Sequence, residues 1–316
     1  MHAAVVDSFD QPPAYGELPT PEASPGTLLV DVLAAAIHPR VRSQAAGSHY
    51  TSTDVLPVVP GVDGVGRTAD GALRYFVLTD THLGSMAEQT LIDPRRSAVL
   101  PEGVDPVLIA AAMNPAMSSW LALTQRITFP VGARVLVLGA TGSAGRMAVQ
   151  IAKHLGASHV TAAGRDVRKL ELLPALGADE LIALSGDPAE VHAGFTAAGR
   201  ELDVVIDYVW GGTTAAALRA IAPVREDDDR PLHWIEIGSM GGPESPIPSA
   251  ALRATDLRII GSGQGSVSPR AIVAELPALA AEITSGRYDV PARSVPLRDV
   301  TAAWAEQTDD RLVLVP

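Results

Sequence analysis

The stretch LVLGATGSAGRMAVQIAKHLG (136–156) sets Gly139, Gly142 and Gly145 between an apolar run and a helix-like pattern. RVLVLG (134–139) reads as a buried strand. Beyond the glycines, Ala144, Ala148, Ile151, Ala152 and Leu155 fall on one helical face, and Gly156 is placed to end the helix. Strand, glycine turn and helix in this order form a cradle for a dinucleotide pyrophosphate. The first-turn N–H groups and the positive helix end face the phosphate oxygens. Gly139, Ala140, Thr141, Gly142, Ser143, Ala144 and Gly145 are the expected lining. Gly142 lets the backbone approach the phosphates, and Gly145 lets the helix pack close to the strand. A glycine turn without a ligand gives the same local pattern, so the neighbouring segments decide between the two.

On the C-terminal side, strand candidates recur at 159–163, 180–184, 202–207, 233–238 and 257–261, with helical stretches between most of them. Apolar strands bounded by glycines suit a parallel sheet covered on both faces. With 133–139 they make a doubly wound α/β sheet of the Rossmann type over residues 118–265. The flanks differ. Residues 1–117 are rich in Pro and Gly and carry short strand-like runs at 3–7, 27–37 and 73–78, with turns around a short strand at 60–71. Residues 266–316 hold a helix over 268–286 and two short strands, RSVPL and RLVLVP. Ser268 and Pro269 should start that helix and Gly286 should end it, while Pro277 should kink or interrupt it. The tail resembles the first segment in character, which implies one β-rich domain split by the Rossmann insert. REDDDR (225–230) reads as an acidic surface loop.

Composition narrows the function classes. The chain has 316 residues, 47% hydrophobic, and a net charge of −12. That charge, with no basic stripe, argues against a nucleic-acid partner. With no cysteine there is no disulfide, thiolate zinc site, iron–sulfur cluster or Cys nucleophile. MHAAVVDSFDQPPAYG (1–16) lacks the basic start and apolar core of a leader. The apolar run VLIAAAMNPAM (107–117) reads as too short to span a membrane and holds a Pro. A soluble cytoplasmic protein is expected.

The strand after the cradle bears on which dinucleotide binds. NAD sites place Asp or Glu at its end to hold the ribose hydroxyls. Here HVTAAGRDVRKL (159–170) puts Gly164 at that place, followed by Arg165, then Arg168 and Lys169. A small residue removes the carboxylate that repels a 2′-phosphate, and Arg165 can fork onto that phosphate. Arg168 reads as a solvated charge. Asp166 either caps the next helix or, with a register slip, holds a ribose. The balance favours NADPH over NADH.

At this point the sequence resembles the medium-chain dehydrogenase/reductase superfamily, in its zinc-free quinone-oxidoreductase-like branch. The resemblance runs over nearly the whole chain. It is carried by SPGTLLVDVLAAAIHPRVRSQAAGSHY (24–50), LPVVPGVDGVGRT (56–68), GSMAEQTLI (84–92), LPEGVDPVLIAAAMNPAMSSWLAL (100–123), the glycine turn, GADELIAL (177–184), LDVVIDYVWGG (202–212) and IEIGSMGG (235–242). It implies a GroES-like β-rich catalytic domain made from both chain ends around a Rossmann domain, and a homodimer, with LRIIGS (257–262) as an edge strand pairing across a twofold. Zinc-dependent members use Cys, His and Cys as catalytic ligands; the corresponding positions here are His38, Val62 and Asn114. Val cannot ligate and an Asn amide is a poor zinc ligand. The four-cysteine structural lobe is missing, and His38 with Asp63 is too small a donor set to close a site. No metal is expected.

Without zinc, the acceptor must be activated by conjugation or by a hydrogen-bond donor, as in a quinone or an α,β-unsaturated carbonyl. The resemblance implies Tyr50 as a pocket hydrogen-bond donor and places His38 near the reaction centre. His38 reads as a proton donor or a structural hydrogen-bonder, and His49 as an exposed loop residue. Asn114 and Ser118, in NPAMSSW, match an asparagine–proline motif of enoyl-thioester reductases, with Ser118 near the cofactor; Asn114 alternatively caps a helix start. Tyr208, Gly238 and Ser239 end strands at the carboxyl edge of the sheet, where cofactors bind, and Gly263 and Gln264 follow the last strand. An NADPH-dependent quinone or enone reductase is the leading expectation. Enoyl-thioester reduction, a zinc-independent alcohol dehydrogenase-like activity and a non-catalytic NADPH-binding sensor or structural protein are the alternatives.

Overall fold

The computed structural model spans Met1–Pro316 and describes all residues except His49, Tyr50, Thr51, Asp80, Asp228 and Gln264. In chain order its elements are β1 (His2–Val5), β2 (Ala14–Glu17), β3 (Leu28–Ala36), α1 (Pro39–Ala45), β4 (Asp63–Thr68), β5 (Leu73–Val77), β6 (Gln89–Ile92), β7 (Ser97–Val99), α2 (Pro106–Gln125), β8 (Arg134–Leu138), α3 (Ser143–His154), β9 (His159–Gly164), α4 (Val167–Leu170), β10 (Glu180–Ala183), α5 (Pro188–Gly199), β11 (Val204–Asp207), α6 (Gly211–Ile221), β12 (Leu232–Glu236), α7 (Ala251–Ala254), β13 (Leu257–Gly261), α8 (Pro269–Thr284), β14 (Ala292–Pro296), α9 (Val300–Ala305) and β15 (Arg311–Val315). The chain divides into two compact units, one of Met1–Asn114 with Pro269–Pro316 and one of Pro115–Ser268.

The Pro115–Ser268 unit holds a six-stranded sheet in the order β10-β9-β8-β11-β12-β13, with every pairing parallel. This is the doubly wound order, and it reverses at β8, so a crevice opens outside the carboxyl ends of β8 and β11. Its core gathers Leu136, Leu138, Val205, Leu218, Ile221 and the fully buried Trp234. On α3, burial runs continuously from Met147 to Ala152 rather than along one stripe, because the helix packs on β8, β9 and the Leu173–Leu176 turn together. Gly156, at φ +95, closes α3 with its N–H on the Lys153 carbonyl.

The other unit carries a seven-stranded sheet in the order β14-β15-β3-β4-β5-β7, with β6 also on β3, and a separate β1-β2 ribbon. β15 runs antiparallel to β3, pairing Val313 with Ala36 and Leu314 with Ala35, so both chain ends build one sheet. Its core includes Val30, Val32, Val41, Phe76, Met86, Ile92, Leu312 and Leu314.

Three expectations from sequence are corrected. Pro277 does not interrupt α8, which runs from Pro269 to Thr284; the burial of Leu276, Leu279, Ala280 and Ile283 carries it past the lost hydrogen bond. Pro115 likewise sits inside α2, a 20-residue helix that length and composition alone would let cross a membrane; 67% of its most apolar window is buried within the protein. Asn114 is therefore in the body of a helix and caps nothing. The start is set by Pro106 and by Asp105, whose carboxylate accepts from the Val107 N–H at 2.9 Å. The 225–230 loop carries Glu226, Asp227 and Asp229 exposed, as an acidic surface loop should, while its arginines anchor it: Arg225 is buried on Thr255 Oγ1 and the Leu202 and Arg230 carbonyls, and Arg230 pairs with Asp203.

Candidate active site

The glycine turn stands at the switch point of the parallel sheet. A Cβ on Gly145 would lie 2.2 Å from the Gly139 carbonyl oxygen and 2.6 Å from the Ala140 Cα. Only glycine lets α3 approach β8 this closely. Gly139 turns the chain at φ +86. Gly142 is the residue before the first helical turn, has no side chain to cap it, and meets nothing closer than 3.7 Å at its Cβ position. Gly142 and Ser143 are exposed. Among the described residues, nothing accepts from the N–H groups of Ser143, Ala144 or Gly145; Arg146 is the first to bond back, to the Gly142 carbonyl at 2.9 Å. Three free amides at the positive end of a three-turn helix are what a pyrophosphate needs. Ala140 and Thr141 are held beside β9, Ala140 by its N–H on the Ala163 carbonyl at 2.9 Å.

Gly164 closes β9 against the same turn, since a Cβ there would strike Thr141 Cγ2 at 2.5 Å. A larger side chain at 164 would therefore require Thr141 to turn aside. Arg165 and Arg168 are exposed, and among the described residues the guanidinium of Arg165 makes no ion pair or hydrogen bond. Asp166 caps α4 by accepting from the Lys169 N–H at 3.2 Å, and its other oxygen is 3.9 Å from Lys169 Nζ.

Ser118 and Tyr208 meet, with their hydroxyls 2.9 Å apart, while Ser118 also donates to the Pro115 carbonyl at 2.8 Å. Burial pushes the Tyr208 phenol up to about 12. Tyr208 is placed by Asp207, a fully buried carboxylate at the end of β11. Asp207 accepts from the Val209 and Trp210 N–H groups at 2.8 Å each, from Thr214 Oγ1 at 2.5 Å and from Trp234 Nε1 at 2.9 Å. Those bonds hold Trp210 at φ +56, an unfavourable backbone for a bulky residue. The 238–242 glycines interlock with this turn: Gly241 N–H reaches the Val209 carbonyl at 2.6 Å, and a Cβ on Gly238 would sit 3.2 Å from the Tyr208 main-chain carbonyl oxygen. Burial, then the Asp207 charge, raises the Glu236 carboxyl. Ser239 is exposed beyond that turn, and Gly263 N–H bonds Ser266 Oγ at 2.7 Å. Tyr50 and Gln264 lie outside the described residues.

In the unit built from both chain ends, His38 directly precedes α1 and is buried. Its Nε2 is 3.0 Å from Asp63 Oδ1, and Tyr75 donates to Asp63 Oδ2 at 2.7 Å. The Pro60–Gly61 turn is clamped by Gln44, whose Oε1 accepts from Gly61 N–H at 2.9 Å. Gly61 packs against Ser85, whose hydroxyl donates to the Asp63 carbonyl at 2.6 Å. Asn114 is half-buried. The donor set does not fit zinc: Val62 has no donor atom, and His38 Nε2 is already engaged by Asp63. Among the described residues no cluster of three or more His, Asp or Glu is placed to hold a metal ion.

A doubly wound sheet with free main-chain amides at its switch point is the arrangement found in dinucleotide-binding domains. The family described as zinc-binding dehydrogenase matches residues 144–282. A probable NADPH-dependent quinone reductase of Emericella nidulans is 32% identical over all of this chain and all of its own length. A chloroplastic NADPH-dependent alkenal/one oxidoreductase of Arabidopsis thaliana is 28% identical over 64% of this chain and 58% of its own. The quinone oxidoreductase of Thermus thermophilus, solved also with NADPH, superposes with a TM-score of 0.81 at 27% identity, covering both chains completely. The chain belongs to the medium-chain dehydrogenase/reductase superfamily, in its quinone-oxidoreductase-like branch.

Proposed function

We propose that the chain is an NADPH-dependent oxidoreductase that reduces a quinone or an α,β-unsaturated carbonyl without zinc. The observation that carries this is the intact cradle in a chain alike end to end to a probable NADPH-dependent quinone reductase. The Pro115–Ser268 unit is the NADPH-binding domain. The amides of Ser143, Ala144 and Gly145 hold the pyrophosphate, with Gly139–Gly142 giving the main chain room. Gly164 carries no carboxylate to repel a 2′-phosphate, and Arg165, with Lys169 nearby, provides the cation for it. Bound NADPH supplies a hydride. The Ser118–Tyr208 pair, with Gly238, Ser239, Gly263 and Gln264, lines the rest of the cofactor. Tyr50, Asn114 and His38 serve the acceptor, as the hydrogen-bond donors that a zinc-free site requires. A homodimer forms through the Leu257–Gly261 edge, which pairs only with β12 among the described strands.

The test is NADPH oxidation with a panel of quinones and enones. Reduction of members of both classes, faster with NADPH than with NADH, is expected. Tight NADPH binding with no acceptor reduced overturns the enzymatic reading, and sedimentation as a monomer alone overturns the dimer.

A further inference from the structure

This inference rests on the dinucleotide reading proposed above and concerns the Pro115–Ser268 unit alone. Each half of a doubly wound sheet takes one mononucleotide. The cradle and the end of β9 belong to the half built from β8, β9 and β10, which leaves the half built from β11, β12 and β13 for the nicotinamide side. Its carboxyl edge opens with the turn from Tyr208 to Gly211, between β11 and α6. That turn is strained. Trp210 has φ +56 and ψ −161, a conformation that essentially only glycine adopts. Among the described residues it is the one non-glycine with a positive φ. Strain of this kind persists only where the surroundings impose it, and it collects at ligand clamps.

Asp207 imposes it. Its side chain is fully buried, and four donors converge on it. Oδ1 accepts from the Val209 and Trp210 N–H groups and so bends the chain. Oδ2 accepts from Thr214 on α6 and Trp234 on β12, which fixes the carboxylate itself. The turn is gripped on two further sides. Toward β8, Tyr208 N–H bonds the Leu138 carbonyl at 3.1 Å, and a Cβ on Gly139 would meet Val209 Cγ2 at 3.1 Å and Tyr208 Cβ at 3.2 Å. Toward β12, the Asp207 carbonyl accepts from Ile237 and Gly238, and a Cβ on Gly211 would lie 2.6 Å from the Gly241 carbonyl oxygen. The turn is thus wedged between the first glycine of the cradle and the glycine run after β12. A shift at 208–211 changes this wall of the crevice, while Ala140 and Arg146 keep their own bonds to Ala163 and Gly142.

We propose that Asp207 is a positioning residue for the cofactor: it holds the Tyr208–Gly211 turn in its strained form as the wall on which the nicotinamide mononucleotide half of NADPH seats. Asp207 is buried and touches no ligand itself; it acts through the main chain of Val209 and Trp210. The strain is met during folding, so binding does not have to bend the chain.

The test is calorimetric titration of the whole chain with NADPH and with 2′,5′-ADP, which carries the adenosine and the 2′-phosphate but no nicotinamide. Asparagine has one accepting oxygen and cannot serve both pairs of donors. Asp207→Asn should therefore weaken NADPH about 30-fold, within the reach of lost bonds to a charged group. Its affinity for 2′,5′-ADP should stay within about twofold, as for an independent site. Thr214→Val, which keeps the carboxylate, should weaken NADPH about 5-fold and leave 2′,5′-ADP unchanged; it decides the matter if Asp207→Asn does not fold. Glycine adopts the backbone of residue 210 freely. In a Trp210→Gly background Asp207→Asn should thus cost NADPH less than about threefold, a coupling that general support of the fold would not produce. Equal loss of both ligands, wild-type NADPH affinity in the folded variants, or an undiminished loss in the Trp210→Gly background overturns the proposal. Wild-type protein that binds neither ligand overturns the cofactor reading itself, whereas wild-type protein that binds both while the variants do not separate them overturns this inference alone.

Discussion

The end of the parallel sheet and the buried carboxylate cluster are built by opposite means. The sheet end works through main chain: glycines at 139, 142, 145 and 164, and three amides with no acceptor among the described residues. The cluster works through side chains: His38, Asp63, Tyr75 and Arg311, drawn from β4, β5, β15 and the start of α1. A main-chain site needs space, and is lost when an atom is added. A side-chain site needs complementary partners, and is lost when an atom is removed. The two should therefore fail in different observables.

Removing the shared acceptor is the largest such change. Asp63→Ala leaves Tyr75 and His38 without their partner and should destabilise folding by about 3–5 kcal/mol, read by urea unfolding. If the two regions act independently, NADPH affinity should move by less than about twofold. A large loss of NADPH affinity in folded protein would break the division between the two regions. Adding one methyl at the cradle tests the converse. Gly145→Ala drives a Cβ to within 2.2 Å of a carbonyl oxygen, and α3 must retreat. Folding should lose about 2–3 kcal/mol, and fluorescence titration should show NADPH binding largely abolished. Unchanged binding would mean the amides are not the phosphate site.

Smaller effects sharpen the sheet end. Arg165→Ala should weaken NADPH about 10-fold and leave NADH unchanged, the worth of one exposed charge-assisted contact. Equal weakening of both would remove the 2′-phosphate assignment. The Tyr208 phenol, raised to about 12, should not ionise with the ordinary tyrosines. Between pH 10 and about 12 the unfolded chain releases that proton while the folded chain retains it, so this group's contribution to stability falls as pH rises. An ultraviolet titration that loses no late step on Tyr208→Phe would contradict the half-buried Ser118–Tyr208 pair.

The same contrast explains what the sequence disclosed. The order of strands, the glycine turn and the crowding at Gly145 are local facts, and each is legible within a short window. Gly164 is a partial case: its absence of charge is visible in sequence, but its contact with Thr141 is not. The partners of His38 are another matter. Tyr75 looks like any alternating strand residue, and Arg311 sits 274 positions from the carbonyl it serves. Only the fold brings them together. Asp207 had a local signal that went unused, an acidic residue closing an apolar strand before a glycine pair, with Thr214 one helical turn further on. The prolines misled because tertiary burial outweighed their intrinsic cost at 115 and 277.

That β15 pairs with β3 has a consequence for the order of events during synthesis. The Pro115–Ser268 unit is continuous in the chain, so it can leave the ribosome whole and fold at once. The other unit must wait. Until Arg311–Val315 emerges, Ala35 and Ala36 lack their strand partner and the Ile37 carbonyl lacks its guanidinium donor. The half that would bind a cofactor can mature first, and the half that holds the buried carboxylate cluster is completed last.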